Sequence, residues 1–297
     1  MRKPLVFIVA SLVGLAAPAL ATFHEMQIEQ VIGGVNGDPT AQAIQLRMRF
    51  AGQNQVQNAK LVVFDATGTN AITLIQPPSS VSNAIAGDRI LIVSSNFVNN
   101  TSPTTVPDFY LTSLIPASYL AAGRLTWQDL TGTILWSVSW GGTNYTGPNT
   151  GSTINDLDGN FGPPFPGPLP STSTSALLFT NTASAASRSN IVDYIVTPGA
   201  ATLTNNARAG FVVVSLPLIT AITHESSDIR VTWMTIAGKT NVVQVTGGDG
   251  NGGFTNSFLD LSPPIIVPGS GQVGTNYLDN GGATNVPARY YRVRMVP

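Results

Sequence analysis

The residues best suited to chemistry in this chain are Asp156, Asp158 and Asn160, in the run Asp156-Leu157-Asp158-Gly159-Asn160. Side-chain oxygens two residues apart in a turn broken by glycine can converge on one Ca²⁺, a hard cation that takes oxygen ligands. If Asp156 is the first ligand, no glycine stands at the sixth place and no glutamate at the twelfth, so the run is not an EF-hand loop. Two readings stay open, a calcium turn and an Asx-rich solvated turn. Calcium is the one cofactor the sequence suggests.

Other candidates are weaker. His24 and His224 each precede a glutamate, Glu25 and Glu225, yet they fall in different predicted domains and neither begins His-Glu-x-x-His. They read as terminal and surface residues. Serine is plentiful, but a serine nucleophile needs a positioned base, and only these two histidines could serve. Asp156 and Asp158, close together on one loop, would more naturally share an ion than flank a sugar bond. Trp127, Trp136 and Trp140 offer either a sugar-stacking platform or core; Trp136 and Trp140 share a strand face, which favours core. Gly247 to Gly253 resembles a phosphate loop only in composition, with no Lys-Ser/Thr and no helix pattern after it, and reads as a hairpin tip. Arg292 and Arg294 read as a solvated edge that discourages strand addition.

The elements that must position these residues are short strands. Gly123 to Gly142 predicts a hairpin about the Leu130-Thr131-Gly132 turn, with Ile134, Trp136, Val138 and Trp140 on one face and Leu135, Ser137 and Ser139 on the other. Ala43 to Phe50 alternates likewise: Ile44, Leu46, Met48 and Phe50 face in, and Gln45, Arg47 and Arg49 face out. Further strands are expected at 26–32, 60–65, 89–94, 177–180 and 192–196. Between the hairpin and the closing strands lies a proline-rich loop, 147–175, of a length that in a compact domain is either functional or disordered. Beyond Pro217, alternation at Ile229 to Trp233 and Arg289 to Met295 predicts a second, smaller antiparallel sandwich.

Arg2 and Lys3 precede an apolar run from Leu5 to Leu20 and an Ala19-Leu20-Ala21 site, the pattern of a secretory signal peptide cleaved after Ala21. An uncleaved anchor needs about 20 apolar residues, and Gly14 and Pro18 interrupt this run. No membrane span is expected after cleavage. The 14 basic side chains include Arg2 and Lys3, so 12 remain against 15 acidic ones. That balance does not suggest nucleic acid or anionic lipid as a partner. There is no cysteine, so no disulfide framework, thiol catalysis or cysteine metal site. The expected organisation is a signal peptide at 1–21, a first domain at 22–210 and a second at 211–297.

From about residue 25 to 206 the order of features resembles the lamin tail domain, an immunoglobulin-like β-sandwich also found in secreted bacterial proteins. The matching pieces are Gln27 to Val31, Ala43 to Arg47, Leu61 through Asp65-Ala66-Thr67-Gly68, Ala86 to Val93, Gly132 to Gly141, and Asp193-Tyr194 with Thr197-Pro198-Gly199. The C-terminal part resembles a shortened fibronectin type III module, with Ile229 to Trp233 as its tryptophan strand and Arg289 to Arg294 as its last. Both resemblances imply binding or spacing and carry no catalytic apparatus. The expectation is an all-β, non-catalytic binding or structural protein, secreted or at the cell envelope, whose partner is an extracellular protein or glycan. A calcium-dependent carbohydrate-binding module is the second expectation and an extracellular hydrolase the third.

Overall fold

Alternating side chains become strands in the computed structural model, which describes residues 22–296 except 215, 249–252, 254–257, 270, 271 and 285–287. The signal-peptide pattern at 1–21 and the centre of the glycine-rich tip, 249–252, lie outside the described residues. In chain order the strands of the first body are β1 (Met26–Ile32), β2 (Ala43–Met48), β3 (Ala59–Phe64), β4 (Ala71–Ile75) and β5 (Arg89–Val93). There follow β6 (Thr101–Ser102), β7 (Phe109–Tyr110), β8 (Gly123–Asp129), β9 (Ile134–Trp140) and β10 (Leu177–Phe179). A single helical turn, α1 (Asn190–Asp193), leads into β11 (Tyr194–Val196), β12 (Thr202–Thr204) and β13 (Gly210–Val213). The second body holds β14 (Leu218–Glu225), β15 (Asp228–Ile236), β16 (Thr240–Gly248), β17 (Leu259–Asp260), β18 (Ile265–Ile266), β19 (Gln272–Asp279) and β20 (Ala288–Val296). Among the described residues no helix is long and apolar enough to cross a membrane.

The protein is all-β, and its sheets stack. A six-stranded sheet, β11-β10-β1-β2-β5-β7, faces a four-stranded sheet, β4-β3-β8-β9. Ile28, Ile44, Leu46 and Ile92 from the first share one apolar core with Leu61, Val63, Leu125, Trp127, Trp136 and Val138 from the second. The opposite face of the six-stranded sheet, at Ala43, Leu91 and Val93, meets Leu203, Phe211 and Val213 of a small sheet, β12-β13-β6. At that end the six-stranded sheet is the middle of three layers.

This layering corrects one expectation. Gln45, Arg47 and Arg49 were expected outside and Phe50 inside; all three polar residues are buried, and Phe50 is 42% exposed. The outer face of β2 is covered by distant chain. Arg47 Nη2 donates to Asn181 O at 2.7 Å, Arg49 Nη2 to Ser184 O at 3.0 Å, and Thr204 N to Gln45 Oε1. A register shift between Ile28 and Gln30 makes Glu29 the extra residue of a bulge, a device that re-aims a side chain. Its carboxylate receives Arg47 Nη1 at 2.8 Å, Arg89 Nε at 2.7 Å and Gln45 Nε2 at 2.8 Å. Burial lowers the pKa of Arg47, whereas hydrogen bonding to Glu29 raises that of Arg89. Both guanidiniums stay charged at any ordinary pH.

The expected hairpin is β8 and β9, and its three tryptophans lie in the core, fully buried. Each indole N–H has a partner: Trp127 donates to Phe23 O at 2.9 Å, Trp136 to Tyr194 Oη at 2.8 Å and Trp140 to Tyr119 O at 2.9 Å. Large rings can be buried whole here because their polar edges are satisfied.

The boundary expected between 210 and 211 moves. β13 pairs with β12 and β6, Phe211 and Val213 pack inside the first body, and Val214 N donates to Asn100 O at 2.9 Å. The first body therefore runs through Val214. The second pairs β14-β15-β19 in one sheet and β17-β16-β18 in another, with β20 added on β16. Its core is small: Val231, Trp233 and Val243, flanked by half-buried Ile219, Tyr277, Tyr291 and Val293.

Candidate functional site

The proline-rich loop after β9 has a definite place. β9 is an end strand of its sheet, with one row of backbone groups left over. The loop supplies them with partners. Phe165 N donates to Ser139 O at 2.9 Å, Gly142 N to Phe165 O at 2.9 Å and Gly141 N to Gly167 O at 2.9 Å, while Trp140 and Phe165 form a parallel bridge. Phe161 and Leu169 are buried as apolar plugs, Phe161 with its ring centroid 6.0 Å from that of Trp136. The loop is therefore a cover for the sheet border, ordered by backbone bonds and two anchors. It also explains why Leu135, Ser137 and Ser139, expected on an outer face, are buried.

Two features of this loop stand out. The first is the Asp156 turn. Asn155, fully buried, pins it from behind: Nδ2 donates to His24 O at 2.6 Å and Leu135 O at 2.8 Å, and Oδ1 accepts from Arg49 Nη1 at 2.7 Å. Asp156 Oδ1 accepts from Asp158 N at 3.1 Å and Asn160 N at 3.0 Å, and Asp158 Oδ1 accepts from Asn160 N at 2.9 Å. Gly159 closes the turn at φ +73°, where a Cβ would stand 2.8 Å from Gly151 O. Asp156 is buried, 1% exposed, and its Oδ2 has no hydrogen-bond partner. Asp158 and Asn160 are exposed. The structure thus brings the three residues singled out in the sequence to one turn, with Asp156 as the floor and the other two as the rim.

Electrostatics separate the two acids. Burial, reinforced by the neighbouring Asp158 carboxyl, pushes the Asp156 pKa up against the loop amides that would lower it. The Asn160 amide, and then Asp156 itself, hold Asp158 down. Two further aspartate turns show a similar frame with different third and fifth residues. In Asp65-Ala66-Thr67-Gly68-Thr69, between β3 and β4, Oδ1 accepts from Thr67 N at 3.1 Å, Thr67 Oγ1 at 2.8 Å and Thr69 N at 3.1 Å, and Asn70 Nδ2 reaches Oδ2. In Asp129-Leu130-Thr131-Gly132-Thr133, between β8 and β9, Oδ1 accepts from Thr131 Oγ1 at 2.7 Å and Thr133 N at 2.8 Å. Hydrogen bonds from Asn70 and Thr67 hold the Asp65 carboxyl well below the usual range, and those to Asp129 outweigh its slight burial in the same direction.

The second feature is a groove of about 520 Å³, lined by Gly141, Gly142, Tyr145, Pro163, Pro164, Pro166 and Ile191 among others. Pro163 and Pro166 are exposed, Ile191 is 47% exposed, and no charged side chain lines it. Tyr145 is tied down by its own hydroxyl, which donates to Pro148 O at 2.9 Å.

The other candidates disperse. The His24 ring stacks on Phe23 at 4.1 Å, and His224 lies exposed on β14, opposite Ile229. Arg292 Nε donates to Gln244 Oε1 at 2.6 Å and its guanidinium covers the Phe258 ring; Arg294 pairs with Asp260 at 2.8 Å. Sequence reasoning missed Asn155 and Arg49, whose roles depend on partners about a hundred residues apart in the chain. The repeated Asp-x-Thr-Gly-Thr pattern was the available signal for the Asp156 turn as a variant frame. No family model, curated protein or solved structure matches this chain.

Proposed function

We propose that this is a non-catalytic binding or structural protein of the cell exterior, with a lamin-tail-like sandwich followed by a smaller fibronectin type III-like one. The signal-peptide pattern, the order of strand motifs and the two stacked-sheet bodies support this reading. The observation that carries it is the uncharged proline-lined groove, preformed because backbone bonds to β9 and the buried Phe161 fix its walls. A preformed surface loses little conformational entropy when it binds, and proline loses least. Its lining of apolar, hydroxyl and amide groups suits a neutral extracellular partner, a glycan or a protein segment, and the second body acts as a spacer.

The test is binding of the full mature chain to glycan arrays and to intact-cell surface proteins. We expect saturable binding that weakens about tenfold or more in Ile191→Asp, an exposed position, and not in Leu157→Asp, which is more exposed and outside the groove. Turnover of an ester, peptide or glycan by the purified protein, lost in His224→Ala or Asp158→Ala, would overturn the reading. Glycan binding that vanishes with a chelator would replace it with calcium-dependent carbohydrate recognition.

A further inference from the structure

Among the described residues five carboxylates are buried: Glu29, Asp88, Asp156, Asp193 and Asp279. Four of them face arginine. Glu29 holds Arg47 and Arg89, Asp88 holds Arg208 at 2.9 Å, Asp193 meets Arg188 at 3.4 Å and Asp279 meets Arg289 at 2.7 Å. Among the described residues Asp156 makes no ion pair with an arginine, lysine or histidine, and its Oδ2 has no hydrogen-bond partner. A buried carboxylate oxygen left without a partner is among the most expensive groups a fold can hold, so it points to a partner that does not belong to the chain.

The sister turns show which position changed. At Asp65 and Asp129 the residue two places on is threonine, whose hydroxyl donates to the aspartate. At Asp156 it is Asp158, which has only acceptors to offer when ionised. The frame is kept by the two amide bonds to Oδ1, and Oδ2 is left buried with no donor. Replacing a hydroxyl donor by a negative charge, with Asn160 where the sister turns carry their second threonine, makes sense when a cation sits at the two carboxylates.

We propose that Asp156 and Asp158, assisted by Asn160, hold one divalent cation of the calcium class. The side chains offer hard oxygen donors and no thiolate or imidazole, which fits a hard divalent cation, and calcium gives up its waters to an irregular set of turn oxygens more readily than magnesium, which dehydrates reluctantly and demands an octahedron. Among the described residues no three acidic, histidine or cysteine side chains gather, so two carboxylates supply the charge and water completes the shell. Affinity therefore belongs with weak extracellular calcium sites, a Kd of about 10⁻⁴–10⁻³ M. The inference is independent of what the groove binds.

The experiment is calcium titration of the metal-stripped full mature chain by calorimetry and thermal melting, with Asp158→Thr beside it. That variant restores the threonine of the sister turns at an exposed position, so we expect it to fold, to melt at or above the metal-free wild type, and to give no calcium heat. The wild type should show saturable heat and a melting temperature that rises with calcium. Absence of both up to about 10 mM calcium, ten times the weakest Kd of this class, overturns the proposal. So does an Asp158→Thr protein that titrates like the wild type, and magnesium binding as tightly as calcium overturns the assignment to calcium.

Discussion

In the first body three tryptophans are buried whole with every indole N–H satisfied, whereas in the second Trp233 is buried with no partner for its Nε1 among the described residues, in a core of three fully enclosed apolar residues. The contrast extends to charge. Glu29 is enclosed with two arginines, Arg47 and Arg89, between layers, while in the second body the buried Asp279 holds one, Arg289, and Asp260 and Arg294 pair at the surface. With no cysteine in the chain, the first body draws its order from volume and a closed polar interior, and the second mainly from long paired strands such as β15 with β19 and β16 with β20. Similar architecture is thus reached with different margins.

Four substitutions break or sharpen that contrast. Glu29→Ala leaves two guanidiniums enclosed without their counter-charge and should destabilise the first body by about 3–5 kcal/mol, read as a shift of that body's own transition to lower denaturant with the second body's unchanged. Tyr194→Phe comes next. The Tyr194 hydroxyl donates to Ile28 O at 2.6 Å and accepts from Trp136 Nε1, so its loss orphans two groups at a cost of about 1–3 kcal/mol. Tyr291→Phe in the second body should cost less, because Asp279 keeps Arg289 and the ring is only half-buried. Asp260→Asn should be smallest. Arg294, and then Gln244, depress the Asp260 pKa, so its contribution is present above the unfolded value of about 3.9 and lost as pH falls through the lower folded value. Melting curves of the variant and wild type should converge in acid and differ barely at neutral pH.

Much of this contrast could be read from residues alone. Period-two alternation located β2, β9, β15 and β20, and the shared face of Trp136 and Trp140 marked the core. What alternation does not reveal is whether an outer face stays outside. Arg47, Ser137 and Ser139 look solvated in sequence and are covered by chain that returns from Asn149, Asn181 and Asn190. Periodicity carries no information on such long-range cover. The Asp156 turn is the mirror case: its spacing was plain, but the unpaired Oδ2 depends on Asn155 being locked by His24, Leu135 and Arg49, contacts that exist only once the sheets have closed.

The proline-rich cover on β9 has a further bearing on how copies of the protein behave when they are crowded together. An uncovered strand border is a template for another chain's backbone, the first step toward fibrils. Here the template is occupied by the protein's own Phe165 and Gly167, in a stretch dense with prolines. Copies of this protein can be displayed side by side without that border zipping one to the next.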